Sequence, residues 1–131
     1  MRYIYTSFVA IASFSITGIS LANFWAPTSV ELHGQAGGDY FGGSVAIDGD
    51  TCVIGAMLAN SGAGSAYVFT PDASGDWSQV AELTTSDGAS NDYFGYSVAI
   101  DGDTCVIGGS GSAYVFTSDA SGNWSQVAEL T

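Results

Sequence analysis

The residues best suited to chemistry in this 131-residue sequence are two pairs of aspartates, each pair separated by a single glycine. Asp48 and Asp50 form the first pair, and Asp101 and Asp103 form the second. Two carboxylates that flank a bond can act as the acid and base of a glycoside hydrolase. Both pairs, however, lie in the same repeated stretch, SVAIDGDTCVIG, whereas a catalytic site is normally unique. We therefore predict that each pair forms a tight turn between two strands.

The same aspartates are the candidates for a metal site. Calcium takes six to eight oxygen ligands, and a tight turn with two carboxylates does not supply them alone. Asp39 or Asp92 would have to complete the set, in a geometry that the sequence does not give. We therefore expect no cofactor, and the four turn aspartates are the positions to inspect for calcium.

Nucleophilic catalysis has little support in the sequence. His33 is the only histidine, and no nucleophile or orienting group stands near it, so we predict an exposed loop residue. Cys52 and Cys105 occupy the same position in two repeats. Sheets pack about 10 Å apart, whereas a disulfide needs Cα atoms within about 7 Å. We predict two free thiols that behave as small hydrophobic side chains, and no enzyme.

The charge balance excludes two classes of partner. Arg2 is the only Lys or Arg, against 13 acidic residues, and the formal net charge is −12. Nucleic acids and anionic membrane surfaces are bound largely through Lys and Arg, so neither is expected as a partner. Stability has to come from apolar burial and backbone hydrogen bonds.

Residues 1–22 have the layout of a secretory signal peptide. Arg2 supplies the positive charge, residues 3–21 carry no charge, and Ser20 and Ala22 are small residues before a cleavage site at Asn23. An uncleaved anchor is the alternative, since about 19 apolar residues nearly span a bilayer. The sequence predicts a secreted or cell-surface protein that meets the membrane only through this segment.

Two near-identical copies of one unit make up the rest of the chain. SVAIDGDTCVIG at residues 44–55 recurs letter for letter at residues 97–108, and residues 64–84 recur at residues 111–131 with two differences. The second copy lacks six residues within the segment 56–63, which predicts a surface loop there. We call residues 38–84 blade 1 and residues 85–131 blade 2.

Each copy predicts four short strands, of which the first three are apolar enough to be covered on both faces. A four-stranded sheet repeated about every fifty residues is typical of a β-propeller blade, with a β-sandwich as the alternative. The fold class is therefore all-β, with two four-stranded antiparallel blades of an incomplete propeller. Residues 23–37 are predicted as the outer strand of a preceding blade (residues 24–32) and a linker. The predicted strands are Ser44–Ile47, Thr51–Gly55, Ser65–Thr70, Trp77–Leu83, Ser97–Ile100, Thr104–Gly108, Ser112–Thr117 and Trp124–Leu130.

Residues 38–131 resemble the FG-GAP repeat family. The family motif begins with Phe-Gly, as at Phe41-Gly42, and ends with Val-Ile-Gly-Ala, as at Val53–Ala56. The pattern begins again at Phe94-Gly95. Members such as the integrin α-chain head form seven-bladed propellers that bind extracellular partners, so the resemblance implies a propeller fold and an extracellular context. Many such blades bind calcium in a longer, aspartate-rich loop between their first two strands, which is cut to Asp-Gly-Asp here.

Binding to an extracellular protein or glycan, as in adhesion and without catalysis, is the function that we expect. The loops Met57–Ala63 and Thr85–Asn91 are the predicted surface. Two blades do not close a ring, so further copies of the chain, a longer chain or a separate protein would supply the rest. The alternatives are a structural fragment of a larger propeller without its own ligand and, least favoured, an exported hydrolase. The candidate binding residues are Met57, Leu58, Asn60, Asp87 and Asn91.

Overall fold

All eight strands predicted from the repeat are present in a computed structural model of the protein, which describes residues 29–131. The predicted signal peptide and residues 23–28 lie outside the described residues. In the described part, no helix is long and apolar enough to cross a membrane. Residues 31–131 form one compact unit.

Blade 1 is a four-stranded antiparallel sheet whose strands lie side by side in chain order. A four-residue helical turn, α1 (Ala59–Gly62), lies between its second and third strands. The strands are β1 (Phe41–Asp48), β2 (Thr51–Ala56), β3 (Ser65–Pro71) and β4 (Trp77–Leu83).

Blade 2 repeats this order in a second, separate sheet. Within residues 29–131 the two sheets do not close into a ring, so the prediction of two antiparallel blades of an incomplete propeller is confirmed. The strands are β5 (Ser97–Asp101), β6 (Thr104–Gly108), β7 (Ala113–Ser118) and β8 (Trp124–Leu130).

Two local features of blade 1 differ from the sequence expectation. Strand β1 begins at Phe41 rather than Ser44, because Phe41 pairs with Ala56 across a shift in register. The turn α1 was not predicted, because it has no helical period: Asn60 and Ser61 adopt left-handed backbone conformations, with φ of 54° and 60°.

The Asp-Gly-Asp segments form the predicted tight turns. Asp48 pairs with Thr51 at the end of the β1–β2 ladder, which leaves Gly49 and Asp50 as the turn. Gly49 has φ of 56° and the equivalent Gly102 has φ of 58°, a left-handed conformation that glycine adopts without steric cost. The turn role of these aspartates is therefore confirmed.

Alternating side chains give each blade two different faces. The aromatic face consists of Cys52, Ile54, Tyr67 and Phe69 in blade 1, and of Cys105, Ile107, Tyr114 and Phe116 in blade 2. The aliphatic face consists of Val53, Ala66, Val68, Ala81 and Leu83 in blade 1, and of Val106, Ala113, Val115, Ala128 and Leu130 in blade 2.

The main core lies between the blades, where the aromatic face of blade 2 packs against the aliphatic face of blade 1. Phe94 is fully buried there and makes edge contacts with Tyr114 and Phe116, at ring-centroid distances of 5.4 and 5.8 Å. A smaller cluster covers the aromatic face of blade 1, where Phe41 holds the equivalent place and Leu32 packs against it. Residues 29–32 belong to no strand, and residues 24–28 lie outside the described residues, where the predicted outer strand stays a prediction.

The two blades also meet through their backbones. Phe94 N donates to Ala63 O at 3.0 Å, and Gly64 forms a parallel bridge with Phe94. A Cβ on Gly64 would overlap the carbonyl oxygen of Phe94, so this approach requires glycine. The hydroxyl of Ser44 donates to Gly95 O at 2.7 Å. The blades are thus joined by specific hydrogen bonds as well as by apolar packing.

Candidate functional site

The connections of the two blades fall at two opposite ends, because the strands are antiparallel. The loop end carries the two long connections, β2–β3 and β4–β5, which are residues 57–64 and 84–96. The turn end carries the short β1–β2 and β3–β4 turns and their equivalents in blade 2. Both predicted binding loops therefore lie at the loop end.

Backbone hydrogen bonds join the two long connections into one surface. The carbonyl oxygen of Gly62 accepts from Asn91 N and Tyr93 N, each at 3.0 Å. Asn91 and Tyr93 have positive φ values of 76° and 52°, a conformation that non-glycine residues seldom adopt. The carboxylate of Asp92 accepts from Ala89 N at 2.6 Å and closes the second loop on itself. The loop end is therefore a fixed surface built from two segments distant in sequence.

A polar network lies under this surface in blade 1. Asn60 Nδ2 donates to Ser65 Oγ at 2.9 Å, and the fully buried Ser65 donates in turn to Glu82 Oε1 at 2.8 Å. Gln35 Nε2 donates to the other oxygen of Glu82 at 3.4 Å. Burial, and then the nearby Glu82 carboxylate, raise the pKa of Tyr67. The network anchors the β2–β3 loop to the strand at the edge of the sheet.

The five predicted binding residues share the loop end but differ in availability. Met57 and Leu58 are half-buried, whereas Asn60, Asp87 and Asn91 are exposed. The amide of Asn60 is engaged with Ser65, and Asn91 Oδ1 accepts from the Tyr93 hydroxyl at 3.0 Å.

The structure separates the acidic residues that a metal site would need. Asp39 and Asp92 lie at the loop end, where Asp39 O accepts from Leu58 N at 3.1 Å. The turn aspartates lie at the far end of β1 and β5, and the eight residues of β1 span roughly 25 Å. Asp48 Oδ2 accepts from Gly102 N at 2.6 Å and so joins the turns of the two blades. Within residues 29–131, no three His, Cys, Asp or Glu side chains are placed to hold a metal ion together.

The histidine and the two cysteines differ in their exposure to solvent. The His33 side chain is 74% exposed, as predicted, and lies 3.9 Å from the Glu31 carboxylate. Cys52 and Cys105 are both free thiols, on β2 and β6. Burial raises the pKa of Cys105 to about 11 and also raises that of Cys52. Both sulfurs are therefore protonated, and poorly nucleophilic, at neutral pH.

A groove that was not predicted from the sequence lies at the turn end between the blades. It has a volume of about 420 Å³, and its lining includes Thr51, Thr70, Asp103, Asn123 and Trp124. Blade 1 supplies the two threonines and blade 2 the other three. Sequence reasoning missed it because the groove depends on the placement of one blade against the other.

Comparison with known families agrees with this architecture. A family model described as FG-GAP repeat matches residues 33–69 and again residues 77–116, which together are more than half of the chain. The first match ends within β3 and the second within β7. No curated protein matches the chain.

Proposed function

Because the chain belongs to the FG-GAP repeat family, we propose that it is an exported, non-catalytic module that binds an extracellular protein or glycan through its loop end. Its β-propeller-like architecture provides two sheets that hold the loops at fixed positions. Loops carried by a rigid scaffold are the usual place for binding residues in such folds.

The observation that carries this proposal is the β2–β3 loop of blade 1. Residues 56–63 correspond to only two residues, Gly109 and Ser110, in blade 2, so this loop has no counterpart in the other blade. It is also held in place, by Gly62 to the neighbouring loop and by Asn60 to the network beneath it. A unique and fixed surface suits selective binding, because little ordering is needed when a partner arrives.

The chemistry of the surface restricts the kind of partner. Its exposed side chains offer hydroxyl and amide groups at Ser61 and Asn91 and a carboxylate at Asp87. No Lys or Arg follows Arg2 in the whole sequence. Neutral sugars and basic protein surfaces are complementary to such a set, whereas anionic partners are repelled.

The surroundings of the reactive side chains support a role without catalysis. The two cysteines have raised pKa values, His33 stands beside a single carboxylate at the surface, and the repeated aspartates serve as turns. A purified protein that hydrolysed members of a glycoside or ester panel would overturn this part of the proposal.

Exchange of the loop tests the proposal directly. In the exchanged variant, Gly-Ser replaces residues 56–63, because Gly109-Ser110 is the equivalent connection in blade 2. We expect the purified protein to bind one or more members of an array of neutral glycans and basic extracellular proteins, and the exchanged variant to lose that binding. Asn123→Ala, in the turn-end groove, is the control and should bind like the unaltered protein.

A point substitution provides a second test, because the loop exchange removes the buried Ala56 and Ala59 and could unfold the protein. Asn91→Gly removes the side chain from the surface, while glycine accepts the positive φ that asparagine holds there. We expect this variant to melt no earlier than the unaltered protein and to bind more weakly. Unchanged binding in both loop variants, or loss of binding in Asn123→Ala, would place the binding site elsewhere.

A structural role in a larger assembly is the second candidate function. The observation that favours it is the exposure of Val106 and Leu130 on the aliphatic face of blade 2. An apolar sheet face of this kind is a surface for another protein element.

A further inference from the structure

The aliphatic faces of the two blades have the same residues but different surroundings. In blade 1, Val53 is 0% exposed and Leu83 is 3% exposed, because blade 2 covers them. Their equivalents in blade 2, Val106 and Leu130, are 38% and 54% exposed. The aliphatic face of blade 2 is thus exposed, whereas the equivalent face of blade 1 is covered by the aromatic face of blade 2.

The complementary surface is also exposed, on the other side of blade 1. Val45 and Ile47 pair with Ile54 and Cys52 in the β1–β2 ladder and so lie on the aromatic face. They are 63% and 62% exposed. Their equivalents Val98 and Ile100 are half-buried and pack into the core between the blades. Strand β1 of blade 1 therefore lacks the apolar contact with a neighbouring blade that β5 of blade 2 makes.

We propose that the aliphatic face of blade 2 binds the aromatic face of blade 1 in a second copy of this chain, head to tail, by repeating the interface found within each copy. The two faces carry the same residue types as the faces that meet inside one chain, so their apolar surfaces are complementary in the same way. The hydrogen bonds of Gly62 to Asn91 and Tyr93 are not repeated, because blade 2 lacks the β2–β3 loop that makes them. The contact is heterologous, and it forms a chain or a closed ring of copies according to the rotation per copy.

The backbone of blade 2 is open where the second copy would approach. Gly111 is equivalent to Gly64, and the two have φ of 87° and 91°. The backbone of Phe94 occupies the space where a Cβ on Gly64 would lie, whereas nothing lies within 4 Å of a Cβ placed on Gly111. Phe41 of the second copy would occupy this space as Phe94 occupies the one beside Gly64. The Ser97 hydroxyl would then donate to Gly42 O, as Ser44 donates to Gly95 O.

Residues 32–34 compete for part of this contact, because Gly34 lies directly against the Phe41 side chain. Leu32 packs against the cluster on the aromatic face of blade 1, in which Tyr67 and Phe69 are 2% and 5% exposed. It leaves Val45 and Ile47 open. Docking therefore begins at β1, and residues 32–34 move aside when the second copy is fully bound.

Charge sets the condition under which the copies associate. All 13 acidic residues lie in the described part of the chain and no Lys or Arg balances them there, so two copies repel each other. The Debye length is about 10 Å in 0.1 M salt and about 3 Å in 1 M salt. We expect association through this apolar interface to strengthen as salt is added, which is opposite to the behaviour of an interface held by ion pairs.

Sedimentation velocity on the purified protein tests the proposal, at roughly 100 µM protein and about 0.5 M NaCl. We expect dimers or larger assemblies. Ile47→Asp and Val106→Asp should each weaken association about tenfold or more, because each places an unpaired charge in an apolar contact. Val80→Asp is the matched control: Val80 is 49% exposed, lies outside both core clusters, and should leave association unchanged.

A mixture of the two interface variants identifies the arrangement. The Val106→Asp protein keeps a normal blade 1 face and the Ile47→Asp protein keeps a normal blade 2 face, so the mixture restores one contact and should give heterodimers. If Val106→Asp is poorly folded by circular dichroism, Leu130→Asp takes its place. A monomeric unaltered protein, undiminished association of Ile47→Asp alone, or a mixture that stays monomeric would each overturn the proposal.

Discussion

At the scale of single residues, burial decides the chemistry of the two cysteines. Cys105 has no exposed surface, and its pKa is raised from 9.0 to about 11 by burial. Cys52 holds the equivalent position on blade 1 but is only half-buried, since no blade covers it in the same way. The same residue type in the same local sequence thus becomes a core side chain in one blade and a partly accessible thiol in the other.

The raised pKa of Cys105 predicts a loss of stability at alkaline pH. The folded protein retains the thiol proton up to about pH 11, whereas the unfolded chain releases it near pH 9. The contribution is therefore complete below about pH 9 and is lost as pH rises to about 11, by roughly 2–3 kcal/mol. Urea unfolding at several pH values, with reductant, measures it. In Cys105→Ala, the free energy of unfolding should fall less between about pH 9 and about pH 11. The decline that remains is due to Tyr67 and Tyr114, whose pKa values burial also raises.

An equally steep decline in the Cys105→Ala protein would contradict the assignment to this thiol. Cys52→Ala is the control from the equivalent position. Because Cys52 is less buried, its removal should change the alkaline slope less than removal of Cys105.

Sequence reasoning at this scale worked where the argument was local and failed where it needed distant partners. The exposure of His33 followed from the lack of partners around it. The hydrogen bonds from Asn60 to Ser65 and on to Glu82 were missed, because they join the β2–β3 loop to a strand seventeen residues beyond Ser65. The only sequence sign was that Ser65 and Glu82 recur together as Ser112 and Glu129, whose oxygens lie 3.4 Å apart.

At the scale of elements, the strands were predictable and the contacts between blades were not. Turn residues and apolar runs placed all eight strands to within three residues at each end, because local sequence sets turn geometry and strand propensity. Which face of blade 1 would be covered depends on how the sheets stack. The sequence is the same in both copies and does not distinguish a covered aliphatic face from an exposed one.

Gly64 and Gly111 offer a matched pair for measuring the backbone contact between blades. Both have positive φ, so alanine at either position carries similar backbone strain, of about 1–3 kcal/mol. Only Gly64→Ala also forces its Cβ into the Phe94 backbone, which should cost about 1–3 kcal/mol more. Urea unfolding of the two variants at low protein concentration measures the difference. Equal destabilisation would show that Phe94 does not approach Gly64 as closely as the structure indicates.

At the scale of the whole molecule, the excess of negative charge opposes both folding and association. With 13 acidic residues and no Lys or Arg after Arg2, nearly all long-range interactions between charged side chains are repulsive. The turn aspartates add to this, since Asp50 and Asp103 are exposed at one end of the blades. Backbone hydrogen bonds and the core between the blades have to outweigh this repulsion.

Salt should therefore stabilise the protein, and calcium should add nothing beyond its ionic strength. We expect Tm to rise by about 4–8 °C, or about 1 kcal/mol, between roughly 10 mM and 0.5 M NaCl, because screening weakens the repulsion between carboxylates. The Val106→Asp background keeps association from contributing. Asp50→Asn should raise Tm at low salt and reduce the gain from salt.

The calcium prediction is tested by the same melting experiment with about 1 mM calcium in about 0.15 M NaCl. A rise in Tm that EDTA reverses would mean that carboxylates gather around a metal. That outcome would contradict the separation of Asp39 and Asp92 from the turn aspartates at the opposite end of the blades.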